Sequence, residues 1–352
     1  MIKLFLIANS WDAVLDEETK PYCYSRSWYD TCKNIFYYKV NRYSIKDDSD
    51  LIGEFSYVVI RSHIFGNRII SMPFSDDGGI FLRDEIKIDD NKKREIVDGI
   101  IDLLDREAVQ NNIDYAEIRG SNSLMSQGDR GKKLIARSAY IKFTIDTTCG
   151  YEAISRKYDT NIIKNMKKAN KYVFVSECNS IEQFKELYYI YLVQMRSFGS
   201  PPLPIEYFTE LFKGKLSKVL LAKINERVVA FLMVLVFGGK MYADINASIS
   251  RYDNFFPKVK LFDESIKLAC NSGIKLYDFM RTRYNSGVYW HKKKWGGFQE
   301  PIYYYYRIYK DRVNLVMDPE QKRYFLAKII FKCMPLFLLR RVGVFVRVEA
   351  GK

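Results

Sequence analysis

One order of elements occurs twice along the 352 residues, and it constrains the fold more than any other feature. From Phe55 to Arg119 the apolar periodicity gives a strand, a tight turn at Gly66–Asn67, a second strand through Met72 and a short strand after Gly78–Gly79. An amphipathic helix over about Lys92–Val109 and a strand Ile113–Arg119 follow. The order returns as Leu220–Ile224, a turn at Asn225–Glu226, Val228–Phe237, a turn at Gly238–Gly239 and Met241–Ser248. A helix after Pro257 then ends near Gly273, and the strand Ile274–Met280 runs into Arg281. The turns begin at residues 66 and 225 and the closing arginines are 119 and 281, so the second copy trails the first by a nearly constant interval. The expected class is α+β, two tandem copies of one fold. Residues 1–149 form the first domain, completed by 310–352, and 150–309 form the second. Between the copies, Tyr151–Lys171, Ile181–Phe198 and Pro204–Leu216 read as helices; PIYYYYRIY after residue 300 reads as a strand and Pro319–Lys332 as a helix.

A formal net charge of +14 suits partners that carry phosphates or carboxylates, without choosing among them. Six scattered cysteines with no C-x-x-C pair, and only His63 and His291, exclude the usual Cys/His zinc site and suit reduced thiols in a reducing, cytoplasmic compartment. The opening MIKLFLIANSWDAVLDEE turns acidic after five apolar residues and reads as a first strand rather than a signal peptide. The longest apolar run, Val228–Gly239, is shorter than the roughly 20 residues of a membrane span.

The densest chemistry follows the second closing strand: RTRYNSGVYWHKKKWGG, Arg281–Gly297, interleaves cations with aromatic faces, which suits a phosphate-bearing partner with a ring to stack on. A solvated basic loop anchored by Trp290 and Trp295 is the alternative. The meander, helix and returning strand have the element order of a GNAT-type acyltransferase domain. The stretch Gly287, Tyr289, His291, Lys292, Trp295, Gly296 resembles the Gly-x-Tyr-x-Phe-Lys-x-x-Trp/Phe-Gly segment of FemAB-type peptidyltransferases. ISMPFSDDGG (Ile70–Gly79) resembles a segment of the exopolysaccharide-associated branch of that family. YAEIRG (Tyr115–Gly120), NIIKNMKKANK (Asn161–Lys171), MRSFGSPPLP (Met195–Pro204) and YDFMR (Tyr277–Arg281) keep the family's order, so the likeness runs from Trp11 to about Gly343.

The resemblance implies two fused GNAT-like domains that transfer an aminoacyl group from aminoacyl-tRNA to an amine of a cell-wall precursor. It assigns catalysis to Lys292, beside the reacting carbonyl, with His291 and Arg281. It assigns substrate binding to Lys164, Lys168, Arg119, Tyr158, Arg196, Asp278, Tyr289 and Trp295. His291 replaces the family's Phe; an imidazole can stack or accept the amine proton, or simply sit in a loop. Glu117 and Arg119 can equally form a structural ion pair. Where acyl-CoA enzymes cradle the pyrophosphate in a glycine-rich loop, this chain reads SRYDNFFPK (Ser250–Lys258), and the equivalent RDEIKIDDNKK of the first copy is acidic. No tightly bound cofactor is expected; the donor is aminoacyl-tRNA or, through a divergent loop, acyl-CoA. Phe325–Val348 alternates apolar blocks with Lys328, Lys332, Arg340, Arg341 and Arg347, which suits either an anionic membrane surface at the inner face or a helix closing the first domain's core. The expected function is amide formation between an activated aminoacyl or acyl group and an amine of an envelope peptide or glycan precursor. The competing readings are an acyl-CoA N-acyltransferase acting on an amino sugar or other small amine, and a non-catalytic RNA- or membrane-binding protein.

Overall fold

Short polar turns between apolar strands let each half of the chain build a sheet whose order depends on one crossover helix. The computed structural model describes residues 2–7, 20–83, 88–120, 124, 134–311, 313, 315 and 322–351. It divides into two units: residues 1–139, 301–317 and 348–352 form unit 1, and residues 140–300 and 318–347 form unit 2.

Unit 1 starts with β1 (Ile2–Leu6), α1 (Arg26–Asn34), β2 (Val40–Asp47), β3 (Asp50–Ile60), β4 (Arg68–Ser71) and β5 (Ile80–Leu82). Strands β1 to β4 pair antiparallel in sequence order, and β5 folds back onto β3. The helix α2 (Asp90–Asn111) begins where the Asp89 carboxylate accepts from Lys92 N (2.9 Å) and ends where Asn112 turns to φ 52°. Its Ile96, Ile100 and Leu104, spaced four apart, join the core with Phe55, Ile69 and Ile118. The chain then re-enters the sheet as β6 (Tyr115–Arg119), parallel to β4 with Ile69 opposite Ala116.

Unit 2 contains β7 (Leu134–Asp146, from Tyr140 onward), α3 (Tyr151–Ser155), α4 (Thr160–Tyr172), β8 (Phe174–Glu177), α5 (Phe184–Phe198), α6 (Ile205–Lys213), β9 (Ser217–Ile224), β10 (Arg227–Phe237) and β11 (Lys240–Ser248). After α7 (Pro257–Asn271) come β12 (Leu276–Asp278), β13 (Thr282–Arg283) and α8 (Gly287–Lys293). Strands β8 to β11 are antiparallel, β12 is parallel to β11, and β7 lies antiparallel beside β12. The strand β14 (Phe298–Ile308) then pairs with β6 in unit 1, Tyr304 opposite Arg119. Last come α9 (Lys322–Cys333) and α10 (Leu336–Ala350).

The doubled α+β order is present, with three corrections. The repeat is shifted by one strand: the parallel partner of the returning strand is β4 in one unit and β11 in the other, so the 61–67 connection corresponds to Gly238–Gly239 rather than Asn225–Glu226. The expected helix Tyr151–Lys171 is two helices, because Asp159 caps a new start by accepting from Asn161 N (2.8 Å). The domain division also differs. Residues 301–308 join unit 1 through the ladder with β6, and α9 packs on α5 in unit 2, where a Cβ on Gly199 would fall 2.4 Å from the Lys328 carbonyl. Of the tail, residues 310–317 and 348–352 belong to unit 1 and the stretch between them to unit 2. Trp11, residues 84–87 of the acidic connection and the expected helix start at Pro319 lie outside the described residues.

The last turn of α10 explains two wholly buried arginines of unit 1. A helix ends with carbonyls that have no intrahelical partner. Tyr38 Oη donates to the Val348 carbonyl, Arg68 to those of Glu349 and Ala350, and Arg119 Nη2 to that of Gly351 (3.2 Å). Arg119 also donates to Glu117 Oε1 (2.7 Å) and to the Ser75 carbonyl (3.4 Å), and its guanidinium faces the Tyr304 ring at 5.5 Å. Removing one member of a buried pair strands the other charge. Arg119→Ala should therefore cost about 3–5 kcal/mol, whereas Lys164→Ala, on an exposed helix face, should cost under about 0.5 kcal/mol; urea unfolding of the two variants makes the comparison.

Candidate active site

In unit 2 the ladder between β11 and β12 stops early. Only Lys240–Tyr242 pair with Leu276–Asp278. Two residues later the register between β10 and β11 skips Asp244, a bulge that increases the local twist and turns the rest of β11 away. Asp244 Oδ2 accepts from Tyr207 Oη (2.7 Å). Backbone groups left without a neighbouring strand need other partners. The Gln194 side chain, on α5, supplies them: its Nε2 donates to the Asn246 carbonyl and its Oε1 accepts from Ser248 N, each at 3.0 Å. One amide thus replaces a strand on the far side of the opening.

The near side is the segment after β12. Asp278 Oδ1 accepts from Met280 N (2.7 Å), and Met280 takes φ 61°, left-handed and strained for a side chain of that size. Lys292 holds this bend. Its ammonium, in a residue only 7% exposed, donates to the Met280 carbonyl (2.9 Å) and the Arg281 carbonyl (3.1 Å). The Arg281 guanidinium stands 5.3 Å from the Tyr140 ring centroid. Lys292 comes from α8, whose start is fixed by the Ser286 hydroxyl accepting from Tyr289 N (3.1 Å).

Behind Lys292 lies an aromatic cluster. Trp295, wholly buried, meets Tyr158 edge-on at 5.0 Å and packs on Phe262 and Phe279. Its indole N–H points to His291 Nε2 at 3.5 Å. With Nε2 accepting, His291 carries its proton on Nδ1. Burial, with the cations Lys258, Lys294 and Lys292 around it, lowers its pKa to about 4. His291 is therefore neutral and poorly suited to general-base work; its ring lies tilted against Phe262 and edge-on to Trp295 as part of the aromatic cluster. Tyr289 packs edge-on against Phe143 and Trp290, and its hydroxyl donates to Gln299 Oε1 (3.3 Å). Gly296 must be glycine, since it has φ 74° and its Cβ would fall 2.6 Å from the Lys157 carbonyl.

The structure thus brings Lys292, His291, Arg281, Asp278, Tyr158, Tyr289 and Trp295 together in unit 2. The roles differ from those expected. Trp295 and Tyr158 are core, since 0% and 7% exposure leave little surface for a substrate. Arg119 lies in the other unit, buried in its own network, so its assignment to substrate binding gives way to the structural one. Lys164 and Lys168 are exposed on α4 and, with Lys167, Lys171 and Tyr172, line a shallow concavity; the Lys168 ammonium stands over the Phe255 and Phe256 rings at 5.9 and 5.5 Å. The backbone N–H of Asp159, at the head of α4, donates to the Lys294 carbonyl (2.9 Å), which ties α4 to the end of α8. Arg196 is half-buried on α5 two residues from Gln194. Gln194, Asp244 and the Met280 bend have no sequence signal, because each is defined by what a neighbouring strand fails to do.

Residues 156–293 match the acetyltransferase (GNAT) domain family. This segment is similar to a GNAT acyltransferase domain. It contains α4, the opening between β11 and β12, and α8 with Lys292. The fold is similar to that of FemX, with a TM-score of 0.67 at 13% identity over 87% of this chain and 97% of that one. A protein of unknown function from Bacteroides thetaiotaomicron VPI-5482 is similar at TM-score 0.54 and 10% identity, covering 80% of this chain and 90% of its own. L-PGS from Bacillus licheniformis reaches 0.50 at 11% identity, covering 75% and 83%. No curated protein sequence matches the chain. The coarse activity is therefore acyl or aminoacyl transfer of the GNAT kind, on a doubled GNAT-like fold.

The GNAT domain should show the cost of keeping His291 neutral. As pH falls from 6.5 toward 4, the unfolded imidazole gains a proton that the folded one refuses, so its contribution to stability is present above 6.5 and lost on the way down. His291→Phe keeps an aromatic ring and removes the titration. Its melting temperature should fall less than that of the unmodified protein over this interval; equal slopes in paired thermal melts would contradict the assignment.

Proposed function

We propose that the chain transfers an activated aminoacyl group from aminoacyl-tRNA to an amine of a cell-envelope peptide or glycan precursor, in the cytoplasm at the inner face of the membrane. The observation that carries this reading is the opening beside the Met280–Arg281 bend, inside a GNAT domain on a FemX-like chain. Attack by a neutral amine on an ester needs orientation and a positive environment for the developing oxyanion, without an obligatory covalent enzyme intermediate. Arg281 supplies a guanidinium held over the Tyr140 ring beside the bend. Lys292 acts as a positioning residue, holding the bend that presents Arg281 and adding its charge to the same spot.

The head of α7 supports this choice of donor. Phosphate binding at a helix start relies on free backbone N–H groups. Here the first residue is Pro257, which has none, and the preceding Phe256 occupies the left-handed region at φ 57° where a cradle would use glycine. Phe255, Phe256 and Lys168 fill the surroundings. These features support a tRNA ester over a CoA thioester, with the exposed lysines of α4 available to its phosphates. No tightly bound cofactor enters the scheme.

Arg281→Ala and Lys292→Ala should each lower transfer from aminoacyl-tRNA by about 10²-fold, with Lys292→Ala acting on kcat more than on KM. Full activity in both variants would remove the site assignment. Saturable stabilisation by CoA esters, with none by aminoacyl-tRNA mimics in a thermal-shift assay, would move the donor to acyl-CoA.

A further inference from the structure

Two helices at the end of unit 2 have their apolar residues on the wrong side. A surface helix normally turns polar residues to water and one apolar stripe inward. In α9 the inward residue Phe331 is buried, yet Phe325, Leu326, Ile329 and Ile330 are all exposed, Leu326 by 69%. In α10 Leu339 is wholly buried, while Phe337, Leu338, Val342 and Phe345 are exposed, Phe337 by 65%. Both outer sets follow the helical spacing i, i+1, i+4 or i+5, so each helix carries a continuous apolar stripe facing away from its own core. Contiguous exposed apolar surface of this kind marks an interaction site.

The charge around the stripes identifies the occupant. From Lys322 to Val348 there is no acidic residue. Lys332, Arg340 and Arg341 are exposed beside the apolar residues. A second copy of the chain, docked face to face by a two-fold axis, would set these cations against their own equivalents. An anionic lipid surface complements both features, taking the apolar side chains into the headgroup boundary and the cations against lipid phosphates. The helices cannot cross: they have 12 and 15 residues against the roughly 20 of a span, and Pro335 separates them. Among the described residues no helix is long and apolar enough to do so.

We propose that α9 and α10 lie together in the plane of an anionic membrane surface and hold unit 2 there. This inference stands on the helix faces alone and does not depend on the transfer reaction. The test is co-sedimentation of the full chain with phosphatidylcholine vesicles, with and without phosphatidylglycerol. Binding is expected only to the phosphatidylglycerol vesicles and should weaken at high salt. Arg340→Glu with Arg341→Glu should weaken it by at least roughly 30-fold, at about five-fold for each cation lost before the repulsion of the added carboxylates. Phe337→Ser with Phe345→Ser should also release the protein. Arg340 and Arg341 are exposed, so the charge reversal remains informative if the apolar variant does not fold. A chain that stays in the supernatant with phosphatidylglycerol vesicles, binds neutral vesicles equally well, or forms a dimer in sedimentation velocity that these substitutions dissociate, overturns the proposal.

Discussion

The guanidinium of Arg119 is the point on which unit 1 closes. A charge taken fully out of water is tolerated only when its donors are met. Each stretch of chain in the unit contributes: Glu117 and the Ser75 carbonyl from the first, the Tyr304 ring from the second and the Gly351 carbonyl from the third. Arg68, one strand away on β4, does the same for Glu349 and Ala350. The orphan carbonyls of a helix end carry partial negative charge, so a buried cation and a buried helix terminus, each costly alone, offset one another. The Lys20–Glu54 pair, 2.9 Å apart and 1% exposed on each side, shows that the unit uses buried ion pairs more than once.

Unit 2 rests on a different constraint. A parallel strand must return through a crossover: β6 lies beside β4 in unit 1, with β5 intervening in sequence, and β12 lies beside β11 in unit 2. In unit 2 that pairing ends after three residues, and Gln194 makes the early ending affordable by giving β11 a surrogate neighbour. The opening this leaves, the Lys292 clamp on the Met280 bend and the Arg281 side chain form one arrangement inside the GNAT domain. The cations of the chain thus divide by partner. Arg68, Arg119 and Lys292 are buried on carbonyls, while Lys164, Lys168, Lys332, Arg340 and Arg341 face solvent.

The meander, helix and returning strand were legible because their apolar periods are local. Ile96, Ile100 and Leu104 announce a buried helix face, and Gly238–Gly239 a turn, whatever the rest of the chain does. The pairing of those strands was less legible, since β5 looks like a third meander strand until its partner is known to be β3. The cluster around Lys292 was found by composition, but composition could not separate an ammonium aimed at substrate from one clamped on carbonyls 11 and 12 residues back. Arg119 stayed open between substrate binding and an ion pair with Glu117 for a related reason: another of its partners, Gly351, lies 232 residues away.

That separation also bears on how the protein is made. Unit 1 draws on residues 1–139, 301–317 and 348–352, and unit 2 on 140–300 and 318–347. Tandem domains usually fold one after another as they leave the ribosome. Here the sheet of unit 1 must wait for β14, and its two buried arginines wait for the carbonyls of residues 349–351. Unit 1 therefore cannot close before unit 2 has been made. The nascent chain must carry unpaired strand edges until β14 and residues 349–351 have emerged, so the first unit to appear is the last to be completed.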